Sequence, residues 1–391
     1  MDNLQLILNA MVREAVSPQT AAVAIAVIGL NIHFGFTGLL NMGQAGFMLL
    51  GAYGMGITVW QGLPFALGIL FGFGAALVFA LVLGVPTLKL RGDYLAIVTI
   101  SAAEIIRYVG RSSLLTDFTG SAQGIPGSQY TGPFRDLSFF PSGSLTLLPF
   151  NYHDVADGAV WVRLLGWAIT IGAVAALVYL LRSGDRFSGV ARNGLVVLLT
   201  VFTVLLVLFL FPLNYQWTGV SGWWVRFVAW SLVAVCCFVV YLLVRSPWGR
   251  LLRGIREDED AIRSLGKNVF AIKMQALIIG GLFGALGGMV YVLASSVQPD
   301  SMGRSLTFFC YTALLLGGAA TIFGPVLGTI MFYVGRVFIQ QGAQVYVPDS
   351  IMNTQEAAWF SYIVVGIALM LLVIFRPQGV LGDKRELRFD V

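Results

Sequence analysis

Residues 248–275, WGRLLRGIREDEDAIRSLGKNVFAIKMQ, form a dense island of charge between two long apolar stretches. Seven of the chain's 24 basic residues lie between Arg245 and Lys273, together with four consecutive acids at positions 257–260. Hydrocarbon cannot solvate such a stretch. The charged stretch therefore predicts an aqueous loop between two membrane spans. Its basic excess predicts that the loop is cytoplasmic. Residues 246–271 are called the charged segment below.

The composition around this segment is that of a membrane protein. The 391 residues are 58% hydrophobic and only 11% charged, with a mean hydropathy of +0.84. Soluble domains carry about 25% charged residues. The bilayer must therefore solvate most of the chain, and the predicted fold class is an all-α integral membrane protein. The net charge of +5 follows from basic inner loops and gives no indication of nucleic-acid binding.

Apolar runs predict the spans, since a membrane-spanning helix needs roughly 20 mainly apolar residues. Eleven candidates lie at residues 20–40, 42–60, 63–87, 94–110, 160–182, 194–213, 226–244, 272–295, 306–323, 326–341 and 357–375. We expect a single polytopic domain, residues 1–391, built as a bundle of about 10–11 transmembrane helices. Adjacent spans that meet at Gln61-Gly62 and at Gly324-Pro325 predict tight hairpins or shorter half-helices.

The charges between the spans predict their orientation. Residues 112–159 contain four acids and one base, which predicts an outer loop. The charged segment and the basic tail, residues 376–391, then lie in the cytoplasm with the C-terminus. Residues 1–17 form a separate N-terminal segment, which we expect to lie on the membrane surface. We also expect residues 160–213 to form a helical hairpin.

Glycine marks where helices are expected to approach one another. Gly280, Gly284 and Gly288 recur every four residues, a stripe of small residues that permits close backbone contact between membrane helices. Glycines interrupt the apolar runs at residues 29–56 and 317–328, and the second run contains Gly317, Gly318, Gly324 and Pro325. Such interruptions predict short or broken helices around a central pathway.

Two groups of polar residues lie in or just after predicted spans. Asn31, His33, Asn41 and Gln44 have donors and acceptors that could replace the water lost by a crossing solute. The alternative is hydrogen bonding between helices. The histidine also suggests a proton relay, although the chain's second histidine is in the outer loop.

Glu104 and Arg107 lie near mid-bilayer, where ionisable groups are usually paired or functional. Their i, i+3 spacing predicts an ion pair on one helix face, with a pathway-lining role as the alternative. Arg336 is expected to extend to the membrane interface, and we assign it no role.

Three ordered segments resemble one family of permeases. They are GLNIHFGFTGLLNMGQAGFMLLGAYG at 29–54, PTLKLRGDYLAIVTISAAEIIR at 86–107, and WGRLLRGIREDEDAIRSLG at 248–266 combined with LLLGGAATIFGPVLG at 314–328. Together they resemble the LivM-type permease subunit of branched-chain amino acid ABC importers, over roughly residues 20–130 and 226–380. The chain departs from the family pattern at Asp260 and Ile262, where Glu and Ala are usual, and at Ala320, where glycine is usual.

The resemblance implies a function for the charged segment. Its Asp260-Ala261-Ile262-x3-Gly266 sequence is similar to the E-A-A-x3-G coupling loop of such permeases, which docks on an ATPase. The coupling residues expected from it are Arg253, Arg256, Glu257, Asp258, Glu259, Asp260, Ala261, Arg263 and Gly266, with the glycine ending a short helix in the left-handed conformation. The alternative is a solvated loop whose acids only neutralise nearby arginines.

The resemblance also implies partners and cargo. It implies a sister permease subunit, two ATP-binding cassette ATPases and an extracytoplasmic substrate-binding protein, in a bacterial plasma membrane. The only Gly-Lys pair, Gly266-Lys267, lacks the flanking residues of a phosphate-binding loop, so ATP and Mg²⁺ would bind on partner chains. Leucine, isoleucine and valine are the implied cargo, with urea or short amides as alternatives.

Two other classes of protein remain open from the residues alone. An ion-driven secondary transporter would use Glu104, Arg107 and His33 for coupling, but it leaves the charged segment unexplained. A structural or assembly protein predicts no transport. No residue pattern indicates a catalytic site, a metal site or a cofactor on this chain, so we expect it not to be an enzyme.

Overall fold

The computed structural model describes residues 2–88, 92–138, 223–347, 353–375 and 378–382, with isolated positions between 144 and 216. Contacts along the chain separate two units, Met1–Pro141 with Gly219–Val391, and Ser142–Thr218. In the second unit, Ser144–Leu145 pairs antiparallel with Tyr215–Gln216. The predicted hairpin at residues 160–213 lies outside the described residues, and the domain limits expected above stay predictions.

The described part of the larger unit is built from helices. They are α1 Asp2–Ala15, α2 Pro18–Leu30 with a π-helical continuation at Asn31–Phe36, α3 Gln44–Trp60, α4 Phe65–Thr87, α5 Gly92–Gly110, α6 Trp223–Arg245, α7 Pro247–Glu257, α8 Glu259–Ser264, α9 Val269–Leu293, α10 Arg304–Gly317, α11 Gly324–Tyr346 and α12 Thr354–Phe375. The outer loop contributes short helical turns between Ser113 and Asp136, and Pro299–Met302 forms a 3₁₀ turn before α10.

The helices have the apolar character that a bilayer requires. Among the described residues, Pro18–Phe36, Phe65–Thr87, Trp224–Arg245 and Val269–Leu293 are long and apolar enough to cross a membrane. Large apolar side chains are exposed on α4, α6 and α12, for example Leu70, Phe238 and Ile374. An exposed apolar surface of this kind is stable in contact with lipid. The protein is an all-α polytopic membrane protein, as predicted.

The centre of the bundle is α2, whose residues from Thr20 to Leu30 are all buried. The predicted glycine stripe of α9 packs beside it. A Cβ atom on Gly280 would overlap the His33 ring and the Gly29 carbonyl oxygen, and one on Gly288 would overlap the Met48 carbonyl oxygen. The stripe therefore brings the α9 backbone against α2 and α3, which confirms the close approach expected from the sequence.

The two expected hairpins have different outcomes. Gln61 and Gly62 form the turn between α3 and α4, where Gly62 has a φ of +81°. The hairpin predicted at Gly324-Pro325 was misplaced, because α10 ends at Gly317 and residues 318–323 form the turn. Gly324 and Pro325 instead begin α11. Proline fits there because the first helical residues donate no intrahelical hydrogen bond.

Candidate functional site

The charged segment is anchored to the bundle by its first helix, α7. The Ser246 hydroxyl accepts a hydrogen bond from Gly249 N at 3.4 Å at the helix start. Leu252 and Ile255 are buried, so the apolar face of α7 packs on the bundle. The Trp248 indole donates to Gln275 Oε1 on α9 at 3.0 Å. An amphipathic helix held in this way has a fixed position at one end of the bundle.

The second helix of the charged segment, α8, has defined ends. Asp258 caps it, because its carboxylate accepts from Asp260 N at 2.9 Å and from Ala261 N at 3.0 Å. Gly266 follows the helix with a φ of +72°, the left-handed conformation expected from the sequence. These caps hold the short helix in one orientation next to α7.

The outer face of α8 presents both charge and an apolar side chain. Arg263 pairs with Glu259 at 2.8 Å and with Asp260 at 2.9 Å, and Lys273 also pairs with Glu259. The Asp260 side chain is nevertheless 86% exposed. Leu265 is 72% exposed. The Asp260 carboxylate and the Leu265 side chain are therefore both accessible at this end of the charged segment.

The structure divides the predicted coupling residues into two sets. The exposed set is Arg253, Glu257, Asp258, Asp260, Ala261, Arg263 and Gly266, and the half-buried set is Arg256 and Glu259. The exposed set surrounds the accessible side of α7 and α8, and the half-buried set faces the bundle. A partner protein would therefore meet only the first set directly.

Arg256 connects the charged segment to the π-helical turn of α2. Its Nη1 donates to the Gly35 carbonyl oxygen at 2.6 Å. A cavity of about 230 Å³ beside this contact is lined by Thr37, which follows the π-helical turn, by Ile255 of the charged segment and by Lys273 of α9. The π-helical geometry leaves main-chain groups outside the regular ladder, and π-bulges occur frequently at functional sites. The contact gives the charged segment a direct mechanical connection to the buried helix α2.

Three of the four polar residues predicted in the first span form one cluster. His33 Nε2 lies 3.1 Å from the Leu277 carbonyl oxygen and therefore carries the proton. Its Nδ1 lies 3.0 Å from Asn41 Nδ2, which also donates to Gln44 Oε1 at 3.3 Å. Gln44 Nε2 in turn donates to the Ala26 carbonyl oxygen at 2.9 Å. We call His33, Asn41 and Gln44 the buried polar cluster; each is fully buried.

The buried polar cluster lies where α3 begins inside the bundle. The main-chain N–H groups at this helix start donate to side chains of other elements, Met42 N to Thr99 Oγ1 and Ala45 N to Thr307 Oγ1, each at 3.0 Å. A helix end within a membrane requires such partners, because no water satisfies it there. The buried polar cluster thus forms hydrogen bonds between helices, which was one of the two roles predicted for its residues.

Asn31, the fourth residue, joins α2 to the turn between α10 and α11, residues 317–324, here called the glycine turn. Asn31 Nδ2 donates to the Thr321 carbonyl oxygen at 2.7 Å, and its Oδ1 accepts from Ala320 N at 2.8 Å. Gly318 has a φ of +110° and Ala320 a φ of +61°. Alanine in the left-handed region is strained, whereas glycine adopts this conformation readily.

Glu104 and Arg107 form the predicted ion pair, with Arg107 Nη2 at 2.6 Å from Glu104 Oε2. Arg107 Nη1 also donates to Asp300 at 2.7 Å, and Arg111 lies 3.2 Å from the same carboxylate. Glu104 Oε1 accepts from Arg304 N at 3.1 Å. These contacts fasten α5 to the turn before α10. In the described part of the chain, His, Cys, Asp and Glu form no group that could hold a metal ion.

Comparison with known proteins identifies the family. The model of the branched-chain amino acid transport system / permease component family matches residues 13–374. The chain belongs to this family.

Its relatives include two bacterial permease proteins and one archaeal protein. The high-affinity branched-chain amino acid transport system permease protein LivM of Escherichia coli K12 is 29% identical over 366 residues, 92% of this chain and 67% of that protein. The protein of the same description from Salmonella typhimurium LT2 is 29% identical, over 95% of this chain and 70% of that protein. The probable branched-chain amino acid transport permease protein LivM of Methanocaldococcus jannaschii is 23% identical, over 92% and 90%. No solved structure matches the chain.

Sequence reasoning about this permease missed two features of the site. The exposed Leu265 falls in the unspecified part of the coupling motif, although an apolar residue within a charged run was a usable signal. The contact from Arg256 to Gly35 joins residues 221 positions apart and depends on a π-helical turn. No local pattern in the sequence predicts a contact of that kind.

Proposed function

We propose that this chain is one of two membrane-spanning subunits of an ABC importer for branched-chain amino acids, in a bacterial inner membrane. Family membership supports the permease role, and the descriptions of the relatives support leucine, isoleucine and valine as cargo. The observation that carries the proposal is the charged segment, a capped, amphipathic pair of helices whose exposed face combines Asp260, Arg263 and Leu265.

In the proposed mechanism, ATPase subunits act on this surface and the movement passes into the bundle. ATP binds and is hydrolysed on the partner chains, which shift α7 and α8. Arg256 carries the shift to the carbonyl group of Gly35 and so to the end of α2. Asn31 lies in the same π-helical turn as Gly35, and its side chain is hydrogen-bonded to the glycine turn. These contacts form a continuous path by which a partner could bias the bundle between two arrangements.

A substrate-binding protein is proposed to dock on the opposite side, at the outer loop. This loop is fastened to the outer end of α9, because Tyr130 Oη donates to the Val292 carbonyl oxygen at 2.7 Å and Ile125 pairs with Val297. Leu114 and Phe118 are exposed on its surface, at 92% and 55%. A rigidly held loop with exposed apolar side chains suits a docking surface.

The proposed orientation places the C-terminus in the cytoplasm. Residues 378–382 follow α12 and pack on the glycine turn, since Val380 N donates to the Leu316 carbonyl oxygen and Leu381 N to that of Gly317, each at 3.0 Å. The glycine turn is linked through Asn31 to the end of α2 that Arg256 contacts. Residues 378–382 and the charged segment therefore lie on one side of the bundle, which supports a cytoplasmic C-terminus if the charged segment is cytoplasmic.

Reconstitution tests the proposal. The chain is co-purified with its sister permease and ATPases, placed in proteoliposomes, and supplied with the binding protein and labelled leucine or urea. We expect leucine uptake that requires ATP and continues when an ionophore dissipates the ion gradients. Uptake that stops with the ionophore at constant ATP would support the ion-driven alternative. ATP-dependent uptake of urea but not of leucine would retain the importer and replace its cargo.

A further inference from the structure

A cavity of about 590 Å³ opens at the end of the bundle opposite the charged segment. It lies between α2, α9, α10, α11 and α12, and its walls include Tyr291 near the end of α9 and Asp300 in the following turn. The charged segment joins the start of α9, and a helix of 25 residues is about 37 Å long, so the cavity lies on the outer side. Its volume is in the range of pockets that hold small molecules, about 300–1,000 Å³.

One wall of the cavity presents a cation, Arg336. The side chain is 22% exposed, and its Nε is buried without a hydrogen-bond partner among the described residues. Nη1 donates to Tyr362 Oη at 3.1 Å, and the guanidinium carbon lies 5.6 Å from the ring centres of both Tyr333 and Tyr362. A guanidinium fixed in this way can donate a charge-assisted hydrogen bond to a carboxylate in the cavity that it lines.

Glu14 is the acidic residue nearest to this guanidinium, and it neutralises the charge only partly. Its Oε1 lies 4.0 Å from Arg336 Nη2, which is beyond hydrogen-bonding distance. Burial raises the pKa of Glu14, because desolvation outweighs the attraction of the arginine. A carboxylate from a ligand would therefore find an arginine that still has unused hydrogen-bonding capacity.

The remaining walls supply an anion and an apolar surface. Asp300 lines the cavity, and both arginines that contact it, Arg107 and Arg111, reach the same oxygen, Oδ1. Phe309 and Phe332 also line it, with ring centres 5.4 Å apart. A single cavity thus combines a carboxylate-binding group, an ammonium-binding group and aromatic rings that can pack against an aliphatic chain.

We propose that this outer cavity binds a zwitterionic amino acid with an apolar side chain. Arg336 holds the carboxylate, Asp300 attracts the ammonium group, and Phe309 and Phe332 pack against the side chain. The proposal rests on the proposed function for the class of cargo, and it gives the permease a binding site of its own on the outer side. An amino acid released by the binding protein would occupy it before it crosses.

Equilibrium binding to the full chain tests the proposal without partners. The chain alone is reconstituted in nanodiscs of neutral phosphatidylcholine, and binding of labelled leucine is measured without ATPases or binding protein. We expect saturable binding that weakens at least about tenfold in Arg336→Gln, because a lost charge-assisted hydrogen bond costs more than the ~1.4 kcal/mol of a tenfold change. Arg336→Lys should bind with intermediate affinity, and the exposed Arg250→Gln should bind like the unaltered chain.

Competition between leucine analogues and labelled leucine for the unaltered chain is a second test. Because no residue is replaced, a folding defect in a variant cannot affect the result. We expect 4-methylpentanoate, which lacks the ammonium group, and 3-methylbutylamine, which lacks the carboxylate, to compete at least about tenfold less well than leucine. The proposal is overturned if the monodisperse chain does not bind leucine saturably, or if Arg336→Gln binds as well as the unaltered chain. Because no ATPase is present, a failure of energy coupling would leave this result unchanged.

Discussion

Arg256 of the charged segment and Gly35 of the π-helical turn are joined by a 2.6 Å hydrogen bond from the guanidinium Nη1 to the main-chain carbonyl oxygen. The bond connects the surface that we propose for the ATPases to the most deeply buried helix of the bundle. A hydrogen bond to a charged group contributes about 1.5–3 kcal/mol. That is comparable to typical coupling free energies between sites of about 1–3 kcal/mol.

Replacement of Arg256 by glutamine should uncouple ATP hydrolysis from transport. If the coupling free energy between the ATPase-docking surface and the bundle falls by about 1 kcal/mol or more, the effect of one on the other falls at least fivefold. We expect leucine uptake per ATP hydrolysed to fall by about that factor, while the amount of complex in the membrane stays the same. Arg250→Gln, an exposed change on the same helix, is the matched control and should transport normally. Equal uptake per ATP in the two variants would contradict the path through Gly35.

Charge reversal at Asp260 tests the exposed face of α8. The side chain is 86% exposed, so Asp260→Lys should leave the fold and membrane insertion intact. The introduced lysine places a like charge beside Arg263. The affinity for the ATPase should fall about tenfold if one interfacial contact of ~1.4 kcal/mol is lost. The measurement is ATPase activity stimulated by the loaded binding protein. Arg250→Glu reverses a charge outside the coupling motif and controls for the change in net charge. Unchanged stimulation in Asp260→Lys would exclude this residue from the docking surface.

Ala320→Gly should stabilise the protein. Ala320 has a φ of +61° within the glycine turn, and the left-handed conformation costs a non-glycine residue about 1–2 kcal/mol. Glycine removes this cost, but it also makes the unfolded chain more flexible, which offsets about 0.5–1 kcal/mol of the stabilisation. A net gain of up to about 1.5 kcal/mol should therefore raise the thermal midpoint in detergent. Ala319→Gly is the control, because Ala319 has no positive φ and should gain nothing. A lower midpoint for Ala320→Gly would show that this strain is absent.

Gly288→Ala should destabilise the bundle severely. The added Cβ would overlap the Met48 carbonyl oxygen, and main chain cannot move aside as a flexible side chain can. Overpacking in a close-packed interior costs about 1–3 kcal/mol or more. Size-exclusion chromatography and thermal unfolding should report a loss of folded protein. Gly335→Ala is matched in chemistry, but nothing lies within 4 Å of its added Cβ, so that variant should be as stable as the original chain. Similar behaviour of the two variants would argue against close packing of α9 on α3.

The sequence predicts the elements that depend on local composition and spacing. Apolar runs predicted most of the described helices to within a few residues, although the run at 306–323 extends six residues past the end of α10. The four-residue glycine period predicted the α9 stripe, and the i, i+3 spacing predicted the pair of Glu104 with Arg107. Each signal is contained within one helix, so a single stretch of sequence holds all of the information.

The features that the sequence did not predict depend on contacts between distant parts of the chain. Arg336 received no role, because the cavity around it is assembled from five helices. The strained φ of Ala320 depends on how α10 and α11 are joined, and the misplaced turn at Gly324-Pro325 has the same origin. Composition identifies an interrupted helix, but tertiary packing determines where the interruption falls.

The most direct test of the central claim is a tagged pull-down of the chain from gently solubilised native membranes, with its partners identified by mass spectrometry. If the charged segment is a docking site for motor subunits, a second permease and ATPases with phosphate-binding loops will be recovered, and Asp260→Lys will recover less of the ATPases. Recovery of the chain alone, or only as a homo-oligomer, would contradict the account.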